Sequence, residues 1–324
     1  MSCRISSPTL LVCGLASVLC TGCVSGPGTF GANAARTETV LCSLSSDPEG
    51  CTDAPQIVQG KPNQLVDGVG WVLGIPHKLI LWNRRVDNHN VQPETLSDVA
   101  TFAQVNELDG VCVRVNQYAP LDEWDRLRAN KRVSPGWRYT LGTLSLVSYT
   151  LVPGRLFGGD QYNPYTDSVY VYSDVPALAM EATAYAKDVR TRRYPGTYAA
   201  VNQLPIVSIW HETVNTQDTL AYLKSNGTVQ EQKDGLKILH PNYGADVGAA
   251  INSGSAMPLA FAVVGHITGR VEASRLPTSE TGAVRLSTNE TDGEHSIRTV
   301  NHEDNDATER AFDSHGDSHG SPTF

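Results

Sequence analysis

The chain has 324 residues, of which 40% are hydrophobic and 18% are charged, and its net charge is −9. The acidic balance and the lack of a basic stripe in the sequence argue against nucleic-acid binding, which needs positive charge to meet phosphates. The sequence also contains no Walker loop, no dinucleotide-binding glycine fingerprint and no Gly-x-Ser-x-Gly nucleophile elbow, so it does not indicate those enzyme classes.

Residues 1–22 have the pattern of an export signal. A short positive region precedes an apolar stretch, residues 10–19, which is too short to span a bilayer comfortably. The stretch ends in Leu19-Cys-Thr-Gly-Cys23, which resembles a bacterial lipobox, although Cys20 stands where Leu is usual. The resemblance implies acylation (palmitate-type chains) at Cys23 and a membrane-anchored lipoprotein of the bacterial cell envelope, facing the periplasm or the exterior. An ordinary secretory signal cut near the same place is the alternative.

Residues 23–62 are rich in Gly, Ser, Thr, Pro and Asp and are predicted to form a flexible tether. Cys42 and Cys51 lie within it and are candidates for a disulfide, because an oxidising envelope would let them close a small loop. Cys112 lies in a strand-like run and is predicted to be a small buried hydrophobe.

A globular domain is predicted over residues 63–274. Hydrophobic periodicity predicts a packed apolar segment at 64–81, helices at 92–106 and 120–129, and strands at 111–115 and 139–151. The loop at 154–167 is both aromatic and polar. It either rims a cleft or is a structural turn whose tyrosines pack on the body, and we favour the turn.

The centre of the domain is predicted to be a helix over residues 174–190. A strand at 167–173 precedes it, Asp174 is a suitable N-cap, and Pro176 falls in the first turn, where its missing N–H costs nothing. A second helix is predicted at 197–225, interrupted by a proline. Because strands and helices are mixed without a βαβ repeat, the fold class is α+β.

The central helix carries Met180-Glu-Ala-Thr-Ala184, which resembles the H-E-x-x-H helix of gluzincin metallopeptidases with both histidines replaced. The preceding strand and the second helix, which carries Glu212, are similar to the gluzincin arrangement. The resemblance implies that Met180 and Ala184 stand at degenerate ligand positions, that Glu181 stands at the position of the catalytic base, and that Glu212 is the third ligand. It predicts a strand–helix–helix metallopeptidase-like core.

The residues at the two replaced positions, 180 and 184, determine which function we predict. Zinc needs about three nitrogen, oxygen or sulfur ligands from the protein; Ala184 offers none, and the Met180 thioether suits copper(I) better. We therefore predict a non-catalytic lipoprotein, a pseudoenzyme without a cofactor, that binds an unknown protein or peptide partner. The alternative is an active zinc metallopeptidase with an unusual ligand set, with Glu181 as catalytic base and Glu212 and His211 as candidate metal ligands.

The same resemblance makes two structural predictions. Met180 and Ala184 should have apolar neighbours, and Glu181 should lie near Glu212, where one carboxyl would hold a proton or a hydrogen bond from a tyrosine such as Tyr185. Histidines introduced at positions 180 and 184 should then complete a zinc site with Glu212.

Two further segments bear on the partners of the domain. Residues 247–267 are apolar and rich in small residues, and are expected either to pack on the body or at the membrane surface, or to enter the membrane. Residues 275–324 are predicted to be a disordered acidic tail, because few large apolar residues are available there to bury. The tail also contains four histidines, which could bind divalent metal loosely.

Overall fold

The computed structural model describes residues 56–277. All of them belong to the first of two compact units, Met1–Gly282, and the second unit, Ala283–Phe324, lies outside the described residues. The predicted signal, the acylation site at Cys23, the Cys42–Cys51 pair and most of the predicted tail also lie outside them, so these remain predictions.

A four-stranded sheet with the order β1-β2-β4-β3 organises the described residues. β1 (Gln56–Gln59), β2 (Cys112–Val115) and β4 (Ser168–Val171) are parallel to one another. β3 (Gln161–Asn163) pairs antiparallel with β4 and forms an edge of the sheet. Parallel neighbours need long crossover connections, and helices fill these connections.

The helices are, in chain order, α1 Gln64–Leu73, α2 Ile75–Leu81, α3 Pro93–Val105, α4 Pro120–Ala129, α5 Pro135–Trp137, α6 Thr143–Leu151, α7 Gly154–Phe157, α8 Pro176–Thr191, α9 Pro195–Val201, α10 Pro205–Asn226, α11 Val229–Asn252 and α12 Met257–Arg275. A π-helical turn, Arg138–Gly142, joins α5 to α6. The described residues therefore mix helix and strand, as the α+β prediction requires.

Helix α8 lies between two apolar clusters and is buried on nearly all sides. Toward the sheet, it contributes to a cluster that includes Val113, Val115, Val169, Val171, Ala179, Ala182, Ala186 and Val189. On its other side, it contributes to a cluster that includes Phe102, Met180, Ala184, Tyr222, Leu223 and Leu239. The small alanine side chains let the helix approach the strands closely, and burial of each valine contributes about 1.5–3 kcal/mol.

Three predictions about local structure need correction. The predicted strand at 139–151 is wrong, because this run forms the π-helical turn and α6, burying Gly142, Leu146 and Tyr149 at helical spacing. The predicted tether extends too far, because β1 already pairs with β2. Asp174 does not cap α8, whose N-cap is Val175.

Asp174 instead holds the start of α3. Its Oδ1 accepts hydrogen bonds from the Gln92 backbone N–H at 2.9 Å and from Thr95 Oγ1 at 2.8 Å, and its Oδ2 accepts one from Arg85 Nε at 2.9 Å. Asp174 was predicted as a cap because of its residue type, but in the folded protein its carboxylate accepts hydrogen bonds at the start of α3 and not of α8. Cys112 is buried, as predicted, and it has no disulfide partner among the described residues.

Residues 247–267 form the end of α11, a turn, and the beginning of α12. The two helices pack closely, and a Cβ at Gly265 would lie 2.3 Å from the backbone oxygen of His240. The small residues of this segment therefore serve a helix–helix contact within the body. Among the described residues, no helix is both long enough and apolar enough to span a membrane.

Candidate functional site

A cleft of about 730 Å³ lies beside the edge strand β3. Its walls come from α6, α7, β3, α8, α10 and α11, and the carboxyls of Asp160, Glu181, Glu212 and Asp246 line it together. We call these four groups the cleft carboxyls. A larger depression, of about 1200 Å³, lies on the other side of α8 and contains none of them. The smaller cleft is therefore the candidate functional site, because all four cleft carboxyls line it.

Glu181, on α8, is only 6% exposed, and both of its carboxyl oxygens accept hydrogen bonds. Thr216 Oγ1 donates to Oε1 at 2.5 Å, and Asn242 Nδ2 donates to Oε2 at 2.9 Å. Burial raises the pKa of Glu181 to about 8, and the charges of Asp246 and Asp160 add to the rise, against the effect of the two hydrogen bonds. Glu181 therefore binds a proton at neutral pH.

Helix α10 contributes Glu212, His211 and Asn215. Burial raises the pKa of Glu212 well above its ordinary value, and the neighbouring charges of Asp246 and Glu181 act in the same direction. Burial lowers the pKa of His211 to about 4, so this imidazole is neutral at pH 7. Its Nδ1 lies 3.6 Å from Glu212 Oε1, and without a charge on the imidazole this contact is not an ion pair.

One aromatic contact and one amide contact hold the His211 ring in place. The ring stacks on Tyr185 of α8, with ring centroids 4.4 Å apart and planes inclined by 18°. On the same helix, Nδ1 lies 3.3 Å from Asn215 Nδ2. Asn215 itself is 2% exposed and lines the cleft, and its Oδ1 has no hydrogen-bond donor in the part of the chain that the structure describes.

Asp246 and Asp160 complete the group of cleft carboxyls. Burial raises the pKa of each of them to about 7. Asp160 Oδ1 accepts hydrogen bonds from the backbone N–H groups of Tyr172 and Ser173, at 2.6 and 2.9 Å, whereas its buried Oδ2 has no donor. Asp246 Oδ2 receives one long hydrogen bond, 3.4 Å, from Asn242 Nδ2.

The basic side chain His77 also lines the cleft. Burial lowers its pKa, but the hydrogen bond and charge of Asp87, at 2.8 Å from Nδ1, together with the charges of Asp160 and Asp246, outweigh burial, and the net pKa is raised. His77 is therefore bonded to Asp87 and is also affected by the charges of two cleft carboxyls. Within the described part of the chain, no Lys or Arg lines the cleft.

The residues predicted from sequence to form a site are only partly brought together. Glu181, Glu212 and His211 do line one cleft. The hydrogen bond expected from Tyr185 to a carboxyl comes from Thr216 instead, while Tyr185 stacks on His211.

Met180 and Ala184 have the apolar neighbours predicted for them, and they do not line the cleft that holds Glu181. From α8, the cleft is lined by Leu178, Glu181, Ala182 and Tyr185. Met180 and Ala184 lie instead in the apolar cluster with Phe102 and Tyr222. Their assignment as degenerate ligand positions stays a prediction.

The described residues also bear on metal binding. Among residues 56–277, no group of three or more His, Cys, Asp or Glu side chains is arranged to hold a metal ion. His89 pairs with Asn116 at 3.0 Å and His240 pairs with Glu272 at 3.1 Å, and neither histidine lines the cleft. Glu181, Glu212 and His211 are therefore not arranged as such a group within residues 56–277, and the zinc ligand set proposed from the sequence stays a prediction.

Sequence reasoning missed Asp160, Asp246 and Asn215 as members of the site, and considered His77 only as a possible further ligand without a spacing to tie it to the others. Asp160 follows a Gly-Gly pair in a segment that was considered for a cleft rim, which was a usable signal. Asn215 lies on the same helix as Glu212, whereas Asp246 and His77 lie on two other helices and no spacing in the sequence connects them to the site. Comparison with known protein families, curated proteins and solved structures finds no match to this chain.

Proposed function

We propose that the protein is a non-catalytic lipoprotein of the cell envelope that binds an extended segment of a peptide or partner protein in this cleft. The observation that carries the proposal is the position of the cleft along β3, which has a sheet neighbour on one side only. An extended peptide can add to such an edge through main-chain hydrogen bonds. The cleft volume of about 730 Å³ is also within the usual range for ligand sites.

The shape of the scaffold gives partial support to the gluzincin resemblance. A strand precedes α8, α10 packs beside it, and Glu212 is near enough to Glu181 to affect its charge. Met180 and Ala184, the predicted degenerate ligand positions, lie in an apolar cluster and do not line the cleft. The proposal of peptide binding depends on the cleft and its edge strand, and does not need the resemblance.

The alternative function, an active zinc metallopeptidase, makes a different prediction for the purified protein. Metal analysis of the full chain, purified without chelators, should find much less than one zinc per chain. Near-stoichiometric zinc would overturn the non-catalytic proposal in favour of the peptidase.

Peptide binding is tested by narrowing the cleft. Ser148 of α6 is exposed and lines the cleft, and its neighbour Val147 is 40% exposed but does not line it. The full chain is equilibrated with a random mixture of acetylated peptides of about eight residues, and retained peptides are identified and their affinities measured. We expect Ser148→Trp to weaken binding at least about tenfold and Val147→Trp to leave it unchanged.

This pair of variants separates a specific cleft from general stickiness. Both substitutions place a tryptophan on the surface of the same helix, so nonspecific effects should be equal. If the two variants bind the retained peptides as the unmodified chain does, or if no peptide is retained, the proposed function is wrong.

A further inference from the structure

We infer that the cleft carboxyls form a subsite for a primary ammonium group, carried by a lysine side chain of the bound segment. This inference rests on the proposed function, and it specifies which residue the cleft selects. Its basis is a set of hydrogen-bond acceptors without donors, in a cleft that no Lys or Arg lines within the described residues.

Several acceptors of the cleft have no donor among residues 56–277. Asn215 Oδ1 and Asp160 Oδ2 are both buried and without one. Glu212 Oε1 has His211 Nδ1 only at 3.6 Å, beyond hydrogen-bond distance, and Asp246 Oδ2 has one bond of 3.4 Å. A buried acceptor without a donor is costly, so these atoms are suited to a ligand that brings several N–H groups.

Within residues 56–277, the cleft carboxyls have no Lys or Arg partner along the cleft, which points in the same direction. Four carboxyls face it, and the basic group beside them, His77, is already bonded to Asp87. The neutral His211 supplies no positive charge. A cation entering the cleft would let these carboxyls ionise without mutual repulsion, so its binding is favoured by both hydrogen bonds and charge.

An ammonium ion fits better than a metal ion. A metal needs three or more ligands converging within a short distance, and no such group exists among residues 56–277. An ammonium carries three donors on a flexible stem and tolerates wider acceptor spacing. The apolar stem of lysine also has a wall to pack against, since Leu178, Ala182 and Phe157 line the same cleft.

The test compares probes that differ in a single charge. The full chain is titrated at pH 8 with acetyl-Ala-Val-Lys-Val-Ala-amide and with the same peptide carrying norleucine in place of lysine. A third probe, the norleucine peptide with a free amino terminus, distinguishes a terminal amine from a side chain. n-Butylammonium chloride, n-butanol and magnesium or zinc chloride are titrated as separate small probes. We expect the lysine peptide to bind at least about tenfold more tightly than the norleucine peptide, and butylammonium to bind where butanol does not.

Variants identify the subsite. Glu212→Gln combined with Asp246→Asn removes two charges with little change of shape, and should abolish the preference for lysine. Asp234→Asn combined with Glu272→Gln, at carboxyls that are 60% and 43% exposed and lie outside the cleft, should leave it intact. Because the cleft double variant removes like-charge repulsion, it should fold. The single variant Asp160→Asn is an independent test, and we expect it to reduce the preference for the lysine peptide.

The outcomes separate this inference from the proposed function. If both peptides bind equally and Ser148→Trp weakens both, peptide binding stands and the ammonium subsite is wrong. If butylammonium binds but no peptide does, the subsite stands and the peptide function fails. Preference for the free amino terminus over the lysine side chain would overturn the source named here. Stoichiometric metal binding that displaces butylammonium would overturn the ammonium assignment.

Discussion

Replacing Glu181 by glutamine should change the pH dependence of stability in a way that only a buried, protonated carboxyl explains. The pKa of Glu181 is raised from 4.5 to about 8, mainly by burial. Between these two pH values the folded chain holds a proton that the unfolded chain has lost. The free energy of unfolding therefore falls as pH rises from about 4.5 to about 8, and the loss is complete above the folded pKa.

The magnitude follows from the width of that interval. At about 1.36 kcal/mol for each pH unit, the ionisation of Glu181 alone makes the free energy of unfolding about 4 kcal/mol lower at pH 9 than at pH 5. Glutamine cannot ionise, so the variant lacks this loss. Glutamine also has one acceptor oxygen where Glu181 accepts from both Thr216 and Asn242, so one hydrogen bond, worth about 1 kcal/mol, is lost.

The two effects together predict a difference that depends on pH. At pH 5 Glu181→Gln should be less stable than the unmodified chain by about 1 kcal/mol, whereas at pH 9 it should be more stable by about 3 kcal/mol. The measurement is urea-induced unfolding of the full chain at pH 5, 7 and 9, followed by tryptophan fluorescence. Glu272→Gln, a substitution at a side chain that is 43% exposed, is the control and should leave the pH dependence unchanged.

Parallel loss of stability in the unmodified chain and in Glu181→Gln would refute this reasoning. It would mean that Glu181 is solvated or ionised at neutral pH, and that the raised pKa of this group is not a property of the folded protein. A variant that is less stable than the unmodified chain at pH 9 would have the same meaning.

Three other predictions concern the anchor, the helix pair and the central helix. Cys23→Ser should move the protein from the membrane fraction to the soluble fraction. Unchanged retention in the membrane fraction would mean that another segment anchors the protein. Gly265→Ala should lower stability by about 1–3 kcal/mol in urea unfolding, because its Cβ would meet a backbone oxygen at 2.3 Å; Gly68→Ala, with no atom within 4 Å, should stabilise by about 0.5–1 kcal/mol. Met180→His with Ala184→His should lower the thermal midpoint and should not bind zinc, because both positions lie in an apolar cluster; tight zinc binding by a folded double variant would restore the gluzincin assignment.

Local sequence signals predicted several elements well. The α3 and α4 helices follow from amphipathic periodicity, and α8 from its alanines and from Pro176 in its first turn. These signals work because helix propensity and spacing depend on residues close in sequence. The run at 139–151 misled us because its β-branched and apolar residues favour strand, whereas Gly142, Leu146 and Tyr149 are buried at spacings of a helix. β1 was missed because four residues carry too little periodicity.

By itself, then, the sequence determined where α8 and α10 would form, and the resemblance to gluzincins predicted that Glu181 and Glu212 would lie near each other. Only the tertiary structure decided which side of α8 faces the cleft, because a helix buried on nearly all sides has no polar face to orient it. That orientation turned Met180 and Ala184 toward the apolar cluster and Glu181 toward Glu212. The tertiary structure also brought Asp160 and Asp246 to the same cleft from separate parts of the chain, since proximity in space between distant residues leaves no spacing in a single sequence.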